Sequence, residues 1–163
     1  MNDPQKEDAF LSRNHDHRLC VSDALQSAEE VCTRRGARLT ALRRRVLELV
    51  WDSHAPVGAY DILERLFSLG RRAAPITVYR ALDFLMDHGL VHRLASLNAY
   101  VGCGSSGAPH NAQFLICKAC GTAAELNDAR IDRAIARGAA RTGFTVGGSV
   151  VEIRGLCPDC GGN

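Results

Sequence analysis

The sequence has no run approaching the roughly 18 apolar residues that a membrane helix needs. Its N-terminal stretch MNDPQKEDAF is polar and acidic and lacks the apolar h-region of a secretory signal. Both absences lead us to expect a cytoplasmic chain without a membrane partner. Aromatic residues are scarce, at 6% of 163 positions, although hydrophobic residues reach 46%. A chain of this length forms one domain or two small ones. A domain of under about a hundred residues buries a modest core, so support from a metal or from dimerisation is expected. Net charge is also slight, at +2, and identifies no partner. We find no internal repeat, no Gly-rich phosphate loop and no Ser-His-Asp arrangement, which removes the usual sequence signs of an enzyme.

What is present is unevenly placed. Between Arg34 and Arg80 stand ten arginines and four carboxylates. That balance is either a solvated surface or a local field that draws in phosphate backbone. The periodicity predicts a series of helices. One is capped by Ser22, with Leu25, Ala28, Val31 and Cys32 on one face, and ends at Gly36. The next is capped by Thr40, with Leu42, Val46, Leu49 and Val50 inward and Arg43, Arg44 and Arg45 on its outer side. A third runs over 59–69, with Ile62, Leu63 and Leu66 facing the core. A fourth covers 76–88, with Val78, Ala81, Leu82 and Leu85 buried, Tyr79, Arg80 and Asp83 on the other side, and Gly89 after its end. Two short strands follow, 90–94 and 99–101, turning at Ser96–Asn98. Helices followed by a hairpin describe a winged helix-turn-helix.

A Gly- and Ser-rich hinge from Gly102 leads to a second, smaller unit. Strands are expected over 113–117 and 123–126. A helix over 129–142 presents Ile131, Ile135 and Ala139, and further strands are expected over 145–146 and 150–153. The expected organisation is a flexible tail (1–20), a winged-helix DNA-binding domain (21–101), a hinge (102–110) and a dimerisation and zinc-binding domain (111–163). The fold class is α+β: an N-terminal winged helix-turn-helix followed by a small α/β dimerisation domain.

The seven cysteines carry the sharpest signal. Cys117-x-x-Cys120 and Cys157-x-x-Cys160 are two knuckles separated by 36 residues. Each spacing lets two thiolates meet one ion from a tight turn, and two pairs complete a tetrahedral sulfur site that suits structural zinc. In a reducing compartment, paired cysteines mean metal more often than disulfide. His92, Cys103, His110 and Glu125 remain near the domain boundary. They are either scattered surface groups or N, S, N and O donors to one ion that ties the two domains together. His15, His17 and Cys20 form a small cluster in the N-terminal flank, read as disordered, with adventitious metal binding as the alternative.

Several segments together resemble the ferric uptake regulator family, and most closely its zinc uptake regulator subgroup. They are Arg38-Leu39-Thr40 with Arg43, Ala59-Tyr60-Asp61-Ile62-Leu63, Pro75-Ile76-Thr77-Val78-Tyr79-Arg80-Ala81-Leu82-Asp83-Phe84-Leu85, Gly89-Leu90-Val91-His92, Asn98 to Cys103, Phe114 to Cys117 and both knuckles. The resemblance spans about residues 21–161. It implies two zinc ions per chain: a structural one on Cys117, Cys120, Cys157 and Cys160, and a regulatory one on His92, Cys103, His110 and Glu125. It implies a repressor that binds palindromic double-stranded DNA operators of zinc-uptake genes as a zinc-loaded homodimer. By the same resemblance Tyr79 and Arg80 read the major groove from the fourth helix and Tyr60 contacts DNA. Thr77 caps that helix or binds phosphate, and Arg43 and Arg44 are phosphate contacts. Iron- and peroxide-sensing relatives carry a histidine-rich run before the first knuckle. Here that stretch is His110-Asn111-Ala112-Gln113, which argues against an iron sensor and against the family's additional metal site.

Three other readings remain. One is a relative that senses iron, manganese or nickel. Another is a zinc-ribbon adaptor, which explains the knuckles but not Thr77–Arg80. The last is a zinc enzyme, which a closed four-ligand site disfavours because no position is left for water.

Overall fold

A computed structural model describes residues 9–10, 16–71, 73–106 and 110–161. Much of the expected tail, His15 included, lies outside the described residues, as do 107–109 of the expected hinge. The chain divides into two compact units, Asp16–His110 and Asn111–Asn163.

The first unit is four helices and a hairpin: α1 (His17–Arg34), α2 (Ala41–Val50), α3 (Ala59–Ser68), α4 (Pro75–Asp87), β1 (Val91–Leu94) and β2 (Ala99–Gly102). The amphipathic faces read from the sequence meet in one core. Val46, Ile62, Leu66, Leu82 and Leu85 are wholly inaccessible, and Leu47, Val50 and Val78 nearly so. Thr40 caps α2 as expected, its hydroxyl accepting from the Arg43 amide at 3.4 Å. The start of α1 is different. Asp16, not Ser22, is the cap, accepting from the Arg18 amide, and Ser22 lies inside the helix. Both residue types cap well. The residues before Ser22 include Leu19, Cys20 and Val21, but none of them is buried, so the core-facing stripe that sets the periodicity could not register the extra turns. Thr77 does not cap α4 either: Ala74 stands at the N-cap and Pro75 opens the helix, where its missing N–H costs nothing. Beyond α4, the Gly89 amide bonds the Met86 carbonyl and the Leu90 amide the Leu85 carbonyl, both at 2.9 Å, and this turns the chain directly into β1.

The hairpin pairs His92 with Val101 and Arg93 with Tyr100 in antiparallel register. A single 3₁₀ turn, Ala95–Leu97, closes it, and Asn98 takes the left-handed conformation at φ 47°. Val57, in the α2–α3 connection, exchanges two backbone hydrogen bonds with Tyr100 at 2.9 and 2.8 Å, so the wing is anchored to the helices. At the end of β2 the Trp51 indole lies directly over Gly102, where any Cβ would collide with the ring. Gly102→Ala is expected to destabilise this unit by about 1–3 kcal/mol through overpacking, read as a lower denaturation midpoint in the isolated variant.

The second unit is a three-stranded sheet of order β4-β3-β5 with two helices: β3 (Ala112–Cys117), β4 (Ala123–Leu126), α5 (Ala129–Ala140), β5 (Val150–Gly155) and a single turn, α6 (Pro158–Gly161). β3 is antiparallel to β4 and parallel to β5. The parallel pairing requires a crossover, which α5 supplies. Gln113, buried in β3, donates through Nε2 to the Asp128 carbonyl at 3.0 Å and to Asp132 at 2.9 Å, pinning the start of α5 to the sheet. The strand expected at Thr145–Val146 does not form: the chain there is an irregular connection between α5 and β5. Two residues without a partner strand cannot satisfy a ladder.

Candidate metal centres and nucleic-acid interface

The two cysteine knuckles hang from the same ends of neighbouring strands. In the parallel β3–β5 pairing Cys117 stands opposite Gly155, and Cys157 follows two residues later. Cys120 is reached by a tight turn in which Gly121 adopts φ 76°, a conformation strained for any residue with a Cβ. Cys160 sits on the one-turn helix α6. The four sulfurs lie within 4.8 Å of one another, and Cys120 Sγ is 3.7 Å from Cys157 Sγ. Two sulfurs each about 2.3 Å from a tetrahedral zinc ion stand roughly 3.8 Å apart. None of the seven cysteines is joined in a disulfide.

The electrostatics of the cluster favour a cation. Backbone amides of Cys120 and Cys157 draw the Cys117 thiol down to about 6, and the Cys157 amide lies 3.4 Å from its sulfur. Cys120 is also lowered, chiefly by the Thr122 hydroxyl and then by the Thr122 amide. Cys160 is pushed up to about 12 by hydrogen bonding to Cys157 and Cys120 and by burial among the sulfurs. Four thiolates at this spacing repel one another unless a positive ion lies among them. The residues fit a closed S₄ zinc site.

A second cluster lies in the first unit. His92 is in the middle of β1, and Cys103 follows β2 with its amide bonded to the Leu90 carbonyl at 3.0 Å. His110 closes on both: its Nε2 is 3.7 Å from Cys103 Sγ, and its ring centre is 5.1 Å from that of His92, edge to face. The donor atoms of these three lie within 4.8 Å of one another, and Cys103 is buried. Two imidazoles and a thiolate are the donor set of a borderline ion such as zinc, not of a hard one. Glu125 is a half-buried residue of β4 in the second unit, opposite Phe114 in the ladder.

The helix-turn-helix of the first unit is α3–α4. Arg80 is exposed on α4, Tyr79 and Thr77 are half-buried there, and Tyr60 in the first turn of α3 is 70% exposed. The α2 arginines are less available than a charge count suggests. Arg43 donates to the Arg38 carbonyl at 2.7 Å and stacks 3.5 Å over the Phe84 ring. Arg44 pairs with Glu29 and Glu48, and Arg45 pairs with Glu48. Sequence reasoning also missed His54, which the fold brings beside His17 and Cys20. Its only sequence signal was its residue type.

A winged helix joined to a cysteine-knuckled α/β unit, with one sulfur cluster and one mixed His/Cys cluster, defines a class of metal-dependent DNA-binding regulators. The chain belongs to the ferric uptake regulator family, whose profile matches residues 34–154. Among individual proteins it is similar to the zinc uptake regulation protein of Escherichia coli K12, at 38% identity over 141 residues, which are 86% of this chain and 82% of that protein. The zinc uptake regulation protein of Mycobacterium tuberculosis H37Rv is 30% identical over 129 residues, 77% of this chain and 94% of that protein. Among solved structures, holo XcZur superposes with a TM-score of 0.79 at 41% identity, covering 85% of this chain and 97% of the other. A zinc uptake regulator in complex with zinc and DNA superposes with a TM-score of 0.80 at 37% identity, covering 85% and 93%.

Proposed function

We propose that the chain is a zinc-responsive transcriptional repressor that binds palindromic operators of zinc-uptake genes as a zinc-loaded homodimer in the cytoplasm. The observation that carries this reading is the convergence of His92, Cys103 and His110 at the base of the wing. A buried thiolate with two imidazoles selects zinc over iron or manganese. By resemblance to the family, Glu125 is the fourth donor of the regulatory site. Cys117, Cys120, Cys157 and Cys160 hold a permanent structural zinc, giving two ions per chain. With four protein ligands at each site no position remains for a reacting water, and the chain is a regulator rather than an enzyme. Zinc, when bound, supplies a fixed four-point tie.

The likeness to a zinc uptake regulator complexed with zinc and DNA supports α4 as the groove-reading element. Arg80 is its exposed cation, Tyr79 and Thr77 flank it, and Tyr60 adds a contact from α3. The second unit supports dimerisation: α5 has no buried residue, and Phe144, Val150, Ile153 and Leu156 are 41–65% exposed. A second copy covers these apolar groups in a self-complementary interface. Mobility shift on AT-rich palindromes with zinc, iron, manganese and nickel in turn tests the reading. Binding that follows zinc supports it, and equal or stronger binding with another metal replaces zinc by that metal. Arg80→Ala is expected to cost about 1–3 kcal/mol of operator affinity and to relax preference at one base pair, as measured by fluorescence anisotropy on operator variants. Arg44→Ala is expected to have a much smaller effect, because Glu29 and Glu48 already neutralise its guanidinium.

A further inference from the structure

We propose that His17, Cys20 and His54 form a third metal site that binds zinc and fastens the start of α1 to the α2–α3 connection. These residues share no ligand with either cluster described above. One ligand atom from each lies within 4.8 Å of the others, and all three side chains are half-buried. His17 and Cys20 are three residues apart on α1 and therefore share a face. His54 arrives from the turn three residues beyond Trp51, where the Ser53 hydroxyl and the Ala55 amide are 3.3 Å apart and hold the loop tight.

The tautomer of His17 is the telling detail. Its Nε2 is 2.6 Å from the Trp51 carbonyl oxygen, which can only accept, so Nε2 carries the proton and Nδ1 presents a lone pair. That Nδ1 is 3.2 Å from His54 Nε2, with the rings edge to face at 4.7 Å and 74°. Two imidazole nitrogens on one tetrahedral zinc, each at about 2.0–2.1 Å, stand roughly 3.4 Å apart. A histidine whose second nitrogen donates to a backbone carbonyl is the arrangement metal-bound histidines adopt, because it fixes the ring and raises ligand basicity. An ordinary N–H···N bond would account for the two rings alone. It would not call for a thiol beside them, whereas N, N and S donors are a zinc set. Three protein ligands leave a fourth position open to solvent, so this site is weaker than a four-ligand one and fills last.

The test is a competition titration of the full-length protein with a zinc-chelating chromophore, alongside cobalt substitution. Wild type is expected to show a weakest zinc-binding step that disappears in both Cys20→Ser and His54→Gln. Those variants should retain far-UV circular dichroism and zinc-dependent operator binding. The cobalt protein should lose part of its sulfur-to-metal charge-transfer absorption in Cys20→Ser but keep it in His54→Ser refilled with imidazole. Equal metal equivalents in wild type and both variants, with unchanged cobalt spectra, would overturn the proposal. Cys103→Ser separates it from the regulatory reading, because the weakest step must survive there. If operator binding proved indifferent to zinc while that step persisted, the regulatory reading alone would fail.

Discussion

Serine in place of Cys157 is expected to strip the metal from the second unit, collapse its fold and abolish dimerisation. Cys157 is 5% exposed, its amide lies 3.4 Å from Cys117 Sγ and its sulfur is 3.7 Å from Cys120 Sγ, so it touches both members of the other knuckle. Little else could compensate. The buried apolar side chains of this unit are few, chiefly Ala112, Phe114, Ile116, Ala123 and Ala124, and α5 buries none. A structural zinc contributes roughly 10–16 kcal/mol of apparent folding free energy in small zinc domains. A serine hydroxyl is a poor substitute for a thiolate, so the loss is a large share of that sum and is comparable to the whole stability of a typical domain. Zinc content by atomic spectrometry should fall by at least one equivalent per chain, and size-exclusion chromatography should show loss of the dimer. Full zinc content with unchanged assembly would contradict the structural assignment. The helices of the first unit should survive, because their core draws on Ile62, Leu66, Leu82 and Leu85, with no cysteine of either knuckle among them.

That difference in support also governs what could be read in advance. The first unit was legible because its helices bury continuous stripes: Val46, Leu47 and Val50 on α2, and Val78, Leu82 and Leu85 on α4, repeat at helical spacing. The knuckles were legible because ligand spacing is local, and the parallel register of β3 and β5 then brings the two pairs together. Features set by tertiary partners were not legible. The start of α1 at Asp16 adds turns whose apolar residues, Leu19, Cys20 and Val21, join no buried stripe, and Thr145–Val146 has strand-forming residues but no strand to pair with. The engagement of Arg43 with Phe84, and of Arg44 with Glu29, depends on how α1, α2 and α4 pack, so a count of arginines overstated the free charge of α2. His54 was invisible for the same reason: 34 residues separate Trp51 from the His17 that its carbonyl orients.

Cys103→Ser is expected to abolish operator binding at limiting zinc while leaving the structural ion in place. Cys103 is buried at the base of the wing, its amide fixed on Leu90 and its sulfur 3.7 Å from His110 Nε2. Serine keeps the shape and the backbone bond but removes the thiolate, which is both the softest donor of the set and the one that discriminates against harder metals. Loss of an outer partner of a metal ligand already costs about 10–100-fold in affinity, so loss of the ligand itself should cost more than this. At a zinc concentration that half-saturates operator binding in the wild type, the variant should show none. Raising zinc should restore binding only in part, with weakened preference for zinc over cobalt. Because a ligand shifts a conformational equilibrium only by its differential affinity for the two states, reduced zinc affinity translates directly into a smaller population of the DNA-binding arrangement. The structural site supplies the internal control, since Cys117, Cys120, Cys157 and Cys160 belong to the other unit and contribute none of these three donors. Zinc-dependent binding with an unaltered midpoint in Cys103→Ser would remove His92, Cys103 and His110 from the sensing role. It would leave the four-cysteine site as the place to look for the response.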